Sequence, residues 1–422
     1  MYLWAMNSET WKSGMKVVYA KESLPTEVTK SIMLCGPTPR DKETPSWRPE
    51  ALKILEGLGF DGHVFVPEPR DGKVFGDYVD QVEWETNALN QADCIVFWIP
   101  RNLTTMMGLT TNIEFGLWAD TGKAILGTPP EAEKVSYLQH MATKLKVANY
   151  STLDTTLEDA VKTLGEGALR TGGEAQVPLL VWKHPTFQRW LESQKKAGNR
   201  LDSARVLWTF RLGQQRDKVF FWCLHVNVWI EAEQRAKTNE FVLSRTDISS
   251  VVLLYRPEEE GSSYLWDTEV LLVKEFRSSA RTDSGYIIEL PGGSAKEDKG
   301  ETRRVALEEL HEETSFTLDP TRLKELGTAQ LAGTLSAHTS TLFYARITKS
   351  ERDKLVAIAN SGETFGIEAD TEKTYVEVIK LGQLVTAPEM GRGWVPIVDW
   401  STMGMILWAM LNSNEGPGPY SV

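Results

Sequence analysis

From about residue 30 to residue 168, short apolar runs alternate with amphipathic stretches. The runs are residues 31–35 (SIMLC), 64–67, 94–99 (CIVFWI), 124–127 and 146–149. Between them lie residues 48–57, 78–91, 112–121, 132–145 and 157–164, whose apolar positions recur closer to every 3.6 residues than to every second one. Alternating strands and helices predict a parallel sheet covered on both faces, an α/β doubly wound domain. Such sheets take ligands beyond the carboxyl ends of their strands.

A Gly-rich polar stretch, GEGALRTGGEAQ at residues 165–176, reads as a linker, and the texture changes after it. Residues 182–211 read as a helical, Trp-containing stretch. Strand-like runs follow at 220–230, 240–243, 249–255, 269–276 and 286–290, then a charged helix at 301–313. Further strand signal lies at 329–347 and 374–379, and an apolar helix at 402–411. Strands in runs with few helices predict a mixed α+β domain. The expected organisation is a loose tail over 1–29, the doubly wound domain over 30–168, and a linker with a connecting helix over 169–205. The α+β domain then covers 206–412, and a tail covers 413–422.

Charge and cysteine content narrow the partners. The formal net charge of -12 disfavours broad contact with a nucleic-acid backbone, so no nucleic-acid partner is expected. Cys35, Cys94 and Cys223 lie far apart, which excludes a disulfide scaffold and fits a reducing cytoplasm. No run approaches a membrane span, and the opening residues lack the features of a signal peptide. A small phosphorylated ligand remains compatible with this balance, because a few local cations and backbone N–H groups suffice to hold one.

The most informative stretch is residues 289–316, ELPGGSAKEDKGETRRVALEELHEETSF. Spacings of three and four residues put Glu309, Glu312 and Glu313 on one helical face. Converging carboxylates repel unless a cation neutralises them, and oxygen-only ligands suit Mg²⁺ or Mn²⁺. Gly292 and Gly293 would let backbone approach a phosphate closely. This segment resembles the Nudix box. LLVKEFR (271–277) and LAGTLSAHTSTLFYARI (331–347) around it resemble the ADP-sugar pyrophosphatase branch of that family. The resemblance implies a Nudix fold, Glu309, Glu312 and Glu313 as metal ligands, and Glu312 in the catalytic set. It also implies Arg277, Gly292 and Gly293 on the substrate side, and a later-loop glutamate, Glu368 or Glu372. Glu308 stands where the family has Arg, and Ser315 where it has Gly.

In the first domain, residues 35–40 read CGPTPR, a glycine turn after the first strand with Gly36 and Arg40 placed to meet an anion. Residues 108–116 read GLTTNIEFG, which puts Asn112 and Glu114 at the start of a helix beyond the third strand. A glutamate there would attack an anomeric carbon or stabilise the charge as an N-glycosidic bond breaks, and such chemistry generally pairs carboxylates. Glu85 and Asp93 are the nearby acids in sequence. Together with ALNQADCIVFWIP and TTNIEFGLWADTGKAILG, these pieces resemble the nucleoside 2-deoxyribosyltransferase superfamily and its nucleotide N-glycosidase relatives. The resemblance implies Glu114 as nucleophile, Glu85 and Asp93 as supporting acids, Gly36, Arg40 and Asn112 on the substrate side, and a homo-oligomer.

The resulting expectation is a bifunctional nucleotide-processing enzyme. Its first domain would break or exchange an N-ribosyl bond, and its second would hydrolyse a pyrophosphate such as that of ADP-ribose with Mg²⁺ or Mn²⁺. The alternative is a nucleotide-metabolite sensor, in which one domain binds without turnover and regulates the other.

Overall fold

The computed structural model describes residues 12–41, 43–70, 77–213, 218–259, 261–294, 301–366, 372–386 and 398–412. The chain divides into two compact units, Met1–Arg245 and Thr246–Val422.

The first unit is built on a parallel sheet. Its strands are β1 (Lys16–Ala20), β3 (Ser31–Cys35), β4 (His63–Pro69), β5 (Cys94–Trp98), β6 (Ala124–Gly127) and β7 (Asn149–Tyr150), with the two-residue β2 (Glu27–Val28) outside it. The order across the sheet is β1-β4-β3-β5-β6-β7. Helices α1 (Arg48–Gly57), α2 (Tyr78–Gln91), α3 (Leu109–Trp118) and α4 (Ser136–Leu145) connect them, and α5 (Leu153–Leu164) follows β7. Every residue of β3, β5 and β6 is buried, which accounts for their unbroken apolar runs. On one face Ile32, Leu34, Val64, Val96 and Trp98 pack against Leu52 and Leu55 of α1 and Leu157 and Ala160 of α5. The chain moves outward from β3 to β4 on one side and to β5 on the other. The crevice at the carboxyl ends of β3 and β5 is therefore the topological switch point, where doubly wound sheets bind ligands.

Some expectations change here. Residues 16–20, read as tail, form an edge strand parallel to β4, with Lys16 opposite His63 and Val18 opposite Phe65. Residues 1–11 and 413–422 of the expected tails lie outside the described residues. The linker and connecting helix expected over 169–205 are ordered chain: β8 (Arg170–Thr171) pairs with β2, and the helices α6 (Leu179–Trp182) and α7 (Pro185–Lys196) follow.

The domain boundary expected at residue 206 moves to 246. β9 (Arg200–Leu212), β10 (Lys218–Ile230) and β11 (Arg235–Arg245) form an antiparallel sheet in the order β11-β10-β9, inside the first unit. Trp222 is fully buried and donates from its indole to Thr186 of α7 at 3.0 Å, while Thr209 donates to the Thr121 carbonyl at 3.0 Å. The helical reading of 200–211 fails because β9 bulges between Val206 and Trp208, which face Leu224 and Cys223 in turn. The extra residue, Leu207, breaks the period of two.

The second unit runs β12 (Ile248–Tyr255), β13 (Glu269–Phe276), β14 (Tyr286–Glu289), β15 (Gly292–Ser294), α8 (Thr302–Thr314), β16 (Lys324–Gln330) and β17 (Thr339–Arg346). It continues through α9 (Lys349–Ser361), β18 (Thr364–Phe365), β19 (Thr374–Lys380), α10 (Leu381–Thr386) and α11 (Trp400–Asn412). The mixed sheet has the order β16-β17-β12-β13-β19-β18, with β14 on β13 and β15 on β12. Alternate residues of β12 and β13 feed two cores. Val251, Leu253 and Leu271 meet Ala306 and Leu310 of α8 and Leu355 of α9. Val252, Leu254 and Leu272 meet Ile406, Ala409 and Met410 of α11. Among the described residues no helix is long and apolar enough to cross a membrane.

Candidate active site

The turn after β3 is shaped by a close approach. A Cβ on Gly36 would lie 2.1 Å from the Trp98 carbonyl oxygen at the end of β5 and 2.9 Å from the Trp47 ring, so only glycine fits. Arg48, at the start of α1, is buried and laces this turn together. Its guanidinium donates to the carbonyls of Leu34 (3.1 Å) and Gly36 (2.8 Å), to the Thr38 hydroxyl (3.2 Å) and to Glu68 (2.6 Å). The Trp47 indole adds a bond to the Pro37 carbonyl at 3.1 Å. Nothing in sequence marks Arg48, because its neighbours WRPEALK look like any helix start.

Glu114 lies on α3, after β5, and Glu85 in the middle of α2, after β4. Burial and, after it, the negative charge of Glu85 push the Glu114 carboxyl up to about 7, against the opposing charge of Arg48. Glu85 is likewise raised by burial, with a hydrogen bond from Gln81 at 2.9 Å and the charge of Arg48 pulling the other way. The same two carboxylates raise the buried Cys35 thiol, after burial itself. The structure thus brings Glu114, Glu85, Cys35 and Arg48 into one electrostatic neighbourhood, with no requirement that both glutamates be charged at once.

Asp93 is elsewhere. It precedes β5 at the amino edge of the sheet, whereas Glu114 follows the carboxyl edge. Arg170 Nη1 meets Asp93 Oδ1 at 2.6 Å and Nη2 meets Oδ2 at 2.7 Å, and the backbone N–H groups of Ser31 and Leu179 donate at 2.9 and 2.8 Å. The expected supporting acid is a buried clamp joining β3, β5 and β8, with its lone pairs consumed by protein.

Arg40 and Asn112 border the crevice. The Arg40 amide donates to the Thr105 carbonyl at 2.9 Å, tying the loop after β3 to the loop after β5, and its side chain is exposed. Asn112 is exposed on the first turn of α3, and its Oδ1 accepts from Arg101 at 2.5 Å. Arg101 is a second residue that sequence reading missed.

In the second unit the glycine turn lies against Glu309 and Glu313 of the acidic helix, while Glu312, expected on the same face, is exposed. A Cβ on Gly293 would fall 2.4 Å from the Glu309 carboxylate, and the Gly292 amide donates to Glu313 at 2.9 Å. Burial drives the Glu313 carboxyl far up; the Gly292 bond opposes this, and Glu309, Glu372 and Glu275 add repulsion. Glu275 rises to about 7 through burial, against Arg277 and with Glu372 and Glu289. Arg277 is spanned by carboxylates, at 2.9 Å from Glu289 and 2.8 Å from Glu275, so its charge is already balanced within the protein. Glu372 joins this acidic neighbourhood, and Glu368 lies outside the described residues. Glu312 is exposed on the next face of α8.

The departures from the box have local consequences. Glu308 pairs with Arg304 through two contacts of 2.6 and 2.8 Å on the exposed face of α8, one turn apart. Ser315 ends α8 in the left-handed region, at φ 55 and ψ 10, the conformation that a glycine adopts freely. Glu309, Glu372 and Glu275 each add repulsion at the Glu313 carboxyl. Among the described residues, however, no three acidic, His or Cys side chains stand close enough together to hold an ion as they are placed.

No curated protein matches the chain. Residues 29–132 match the family model described as "Nucleoside 2-deoxyribosyltransferase like", and the match spans β3 to the segment before α4, including Gly36, Glu85 and Glu114. A nucleoside 2-deoxyribosyltransferase-like domain therefore occupies residues 29–132 of this chain.

Proposed function

We propose that the first unit breaks or transfers the N-glycosidic bond of a nucleoside or nucleotide, with Glu114 meeting the anomeric carbon and Glu85 beside it. The observation that carries this reading is the half-buried Glu114 and Glu85 pair at the switch point of the sheet, inside the stretch that matches the family. Carboxyls that hold one proton between them supply both needs of the reaction. The pair gives its proton to the departing base as the C1′–N bond breaks. The carboxylate left on Glu114 forms the C1′–O bond, and water or an acceptor base then releases the sugar. Gly36 and Arg48 hold the floor of the crevice. Glu114→Ala is expected to abolish base release from nucleosides and nucleotides, read by mass spectrometry. Undiminished release would overturn the assignment.

We further propose that the second unit is a Nudix-type pyrophosphohydrolase acting on a nucleoside diphosphate-linked substrate such as ADP-ribose. What supports this is the fit of the Gly292–Gly293 turn onto Glu313 and Glu309, together with the left-handed Ser315. Glu309, Glu312 and Glu313 would hold Mg²⁺ or Mn²⁺, which supplies charge neutralisation at the pyrophosphate. AMP and ribose 5-phosphate from ADP-ribose, formed only with the metal present, are the expected products, and Glu313→Gln is expected to remove them. Binding of ADP-ribose without turnover would instead favour a sensing role.

A homo-oligomer is the third element of the reading. Leu109, Ile113 and Leu117 form an i, i+4, i+8 stripe on α3, exposed by 60%, 65% and 70%, next to Glu114. Sedimentation of the intact chain, compared with Ile113→Glu, tests whether a second copy covers that stripe.

A further inference from the structure

We propose that Lys123 is a positioning residue for the reaction of the first unit: its buried ammonium joins the ends of the two helices that carry Glu85 and Glu114 and so fixes the spacing of the pair. This rests on the reading of Glu114 and Glu85 given above.

Lys123 directly precedes β6 at the amino edge of the sheet and is 2% exposed. Its Nζ donates to the Leu89 carbonyl at 2.6 Å and to the Asn90 carbonyl at 2.8 Å. Both belong to the last turn of α2, where carbonyls have no donor within the helix. The same Nζ stands 4.6 Å from the centre of the ring of Trp118, the last residue of α3. A cation at the carboxyl ends of helices also opposes their dipoles.

The spacing is the same on both helices. Glu85 lies four residues before Leu89, and Glu114 four residues before Trp118. Each carboxylate therefore stands one helical turn, about 6 Å along the axis, from the contact that its helix makes with Lys123. Apolar packing does little to place α2, because only Ala88, Leu89 and Gln91 of its residues are buried, all in the last turn. Other polar ties fasten α2 to the loop after β1 and to β9. Trp84 donates to the Glu22 carbonyl at 2.8 Å, Gln91 to the Pro25 carbonyl at 2.6 Å and Asn90 to the Ala204 carbonyl at 2.9 Å. The Lys123 contacts tie it to α3.

Lys123 acts through the helices rather than through its own field. The charges felt by the Glu114 carboxyl are those of Glu85 and Arg48, and the charge felt by Glu85 is that of Arg48. Burial pulls the Lys123 ammonium down to about 7, with Asp93 and Cys94 opposing, Arg170 adding to the fall and Cys35 opposing. The ammonium is thus charged over the range in which Glu114 holds its proton.

The test follows base release by the full chain from adenosine, deoxyadenosine, their 5′-monophosphates and NAD across a range of pH. Lys123→Met keeps the length of the side chain and removes the ammonium. It is expected to lower kcat at pH 6 by about tenfold to 100-fold with little change in KM, as misplacement of reacting groups does. With the two carboxyls free to part, their repulsion eases, and the high-pH limb of base release moves down by about one pH unit. Loss of a positive charge alone would move that limb up, and a defect confined to folding would lower the amplitude without moving it; either result overturns the proposal. Trp118→Leu, which removes the ring beside the ammonium, keeps the test open should Lys123→Met fail to fold. It is expected to move the limb the same way, and Trp118→Phe to return it. Hydrogen–deuterium exchange reads the same link without activity: in Lys123→Met, peptides covering 78–91 and 109–118 should both exchange faster while β3 and β5 stay protected. Faster exchange confined to one helix would overturn the proposal. Faster exchange in both, with no base released by the unmodified chain from any substrate, would leave the Lys123 link standing and remove the glycosidic reading.

Discussion

Arg170 grips both carboxylate oxygens of Asp93, at 2.6 and 2.7 Å, and neither side chain reaches solvent. Two further N–H groups, from Ser31 and Leu179, complete the acceptor sites of Asp93. A charge pair this deep contributes little net stability, but removing one partner strands the other in the core. Asp93→Asn is accordingly expected to destabilise the first unit by about 3 kcal/mol or more. Urea unfolding checks this. Residual folded enzyme should keep its KM for substrate, because the clamp lies at the opposite edge of the sheet from Glu114.

The pKa of Glu114 makes a prediction about pH. Its folded value, about 7, lies above the ordinary 4.5, so the folded state binds the proton more tightly than the unfolded chain does. The associated stability is present at low pH and is lost as pH rises through about 7. Glu114→Gln, which mimics the protonated form, should therefore change stability little at pH 5 and increase it at pH 8, by roughly 2 kcal/mol after allowance for its partial exposure. Chemical denaturation at the two pH values reads this directly. Base release by the unmodified protein should fall above about pH 7, as the pair loses the proton that the leaving base requires.

The sheet strands that were legible in sequence are those whose environment leaves no freedom. β3, β5 and β6 are buried throughout and read as unbroken apolar runs. β1 was not legible: KVVYA at the sheet edge is only half-buried and carries no strong period. β9 was misread because the bulge at Leu207 shifts its apolar positions off the strand period. At the site, Glu114 stands out in sequence because it follows a strand end. Spacing also singled out Asp93, since sequence distance to a strand does not say which end of it faces the ligand. Arg48 and Arg101 were missed for another reason: an arginine buried against carbonyls looks, in one sequence, like an arginine on the surface.

Ser315 marks a place where the chain departs from the glycine of the motif it resembles. Its φ of 55 is a left-handed conformation, which costs a residue with a Cβ roughly 1 kcal/mol. Ser315→Gly should recover about that amount, visible as a higher midpoint for unfolding of the second unit. Ser315→Val should lose more than 1 kcal/mol, because a β-branched side chain fits that region worst. Equal midpoints for the three proteins would mean that the helix end relaxes without strain.

Gly293 is the more demanding glycine, because what it approaches is the Glu309 carboxylate rather than solvent. A Cβ there would sit 2.4 Å from Glu309 Cδ and Oε1 and 2.6 Å from Oε2. No shift of the methyl alone clears three atoms at once, so either the β15 turn or the Glu309 carboxylate must move. The turn is held on two sides, by the Gly292 bond to Glu313 and by pairing of Gly293 with Ser249 of β12. The carboxylate is the freer partner. Gly293→Ala is therefore expected to leave the fold in place and displace Glu309, lowering Mg²⁺-dependent hydrolysis of ADP-ribose by about tenfold or more and raising the Mg²⁺ concentration needed for half-maximal rate. A parallel circular-dichroism melt separates this from a folding defect. Unchanged metal dependence with unchanged stability would show that Glu309 takes no part in holding the ion.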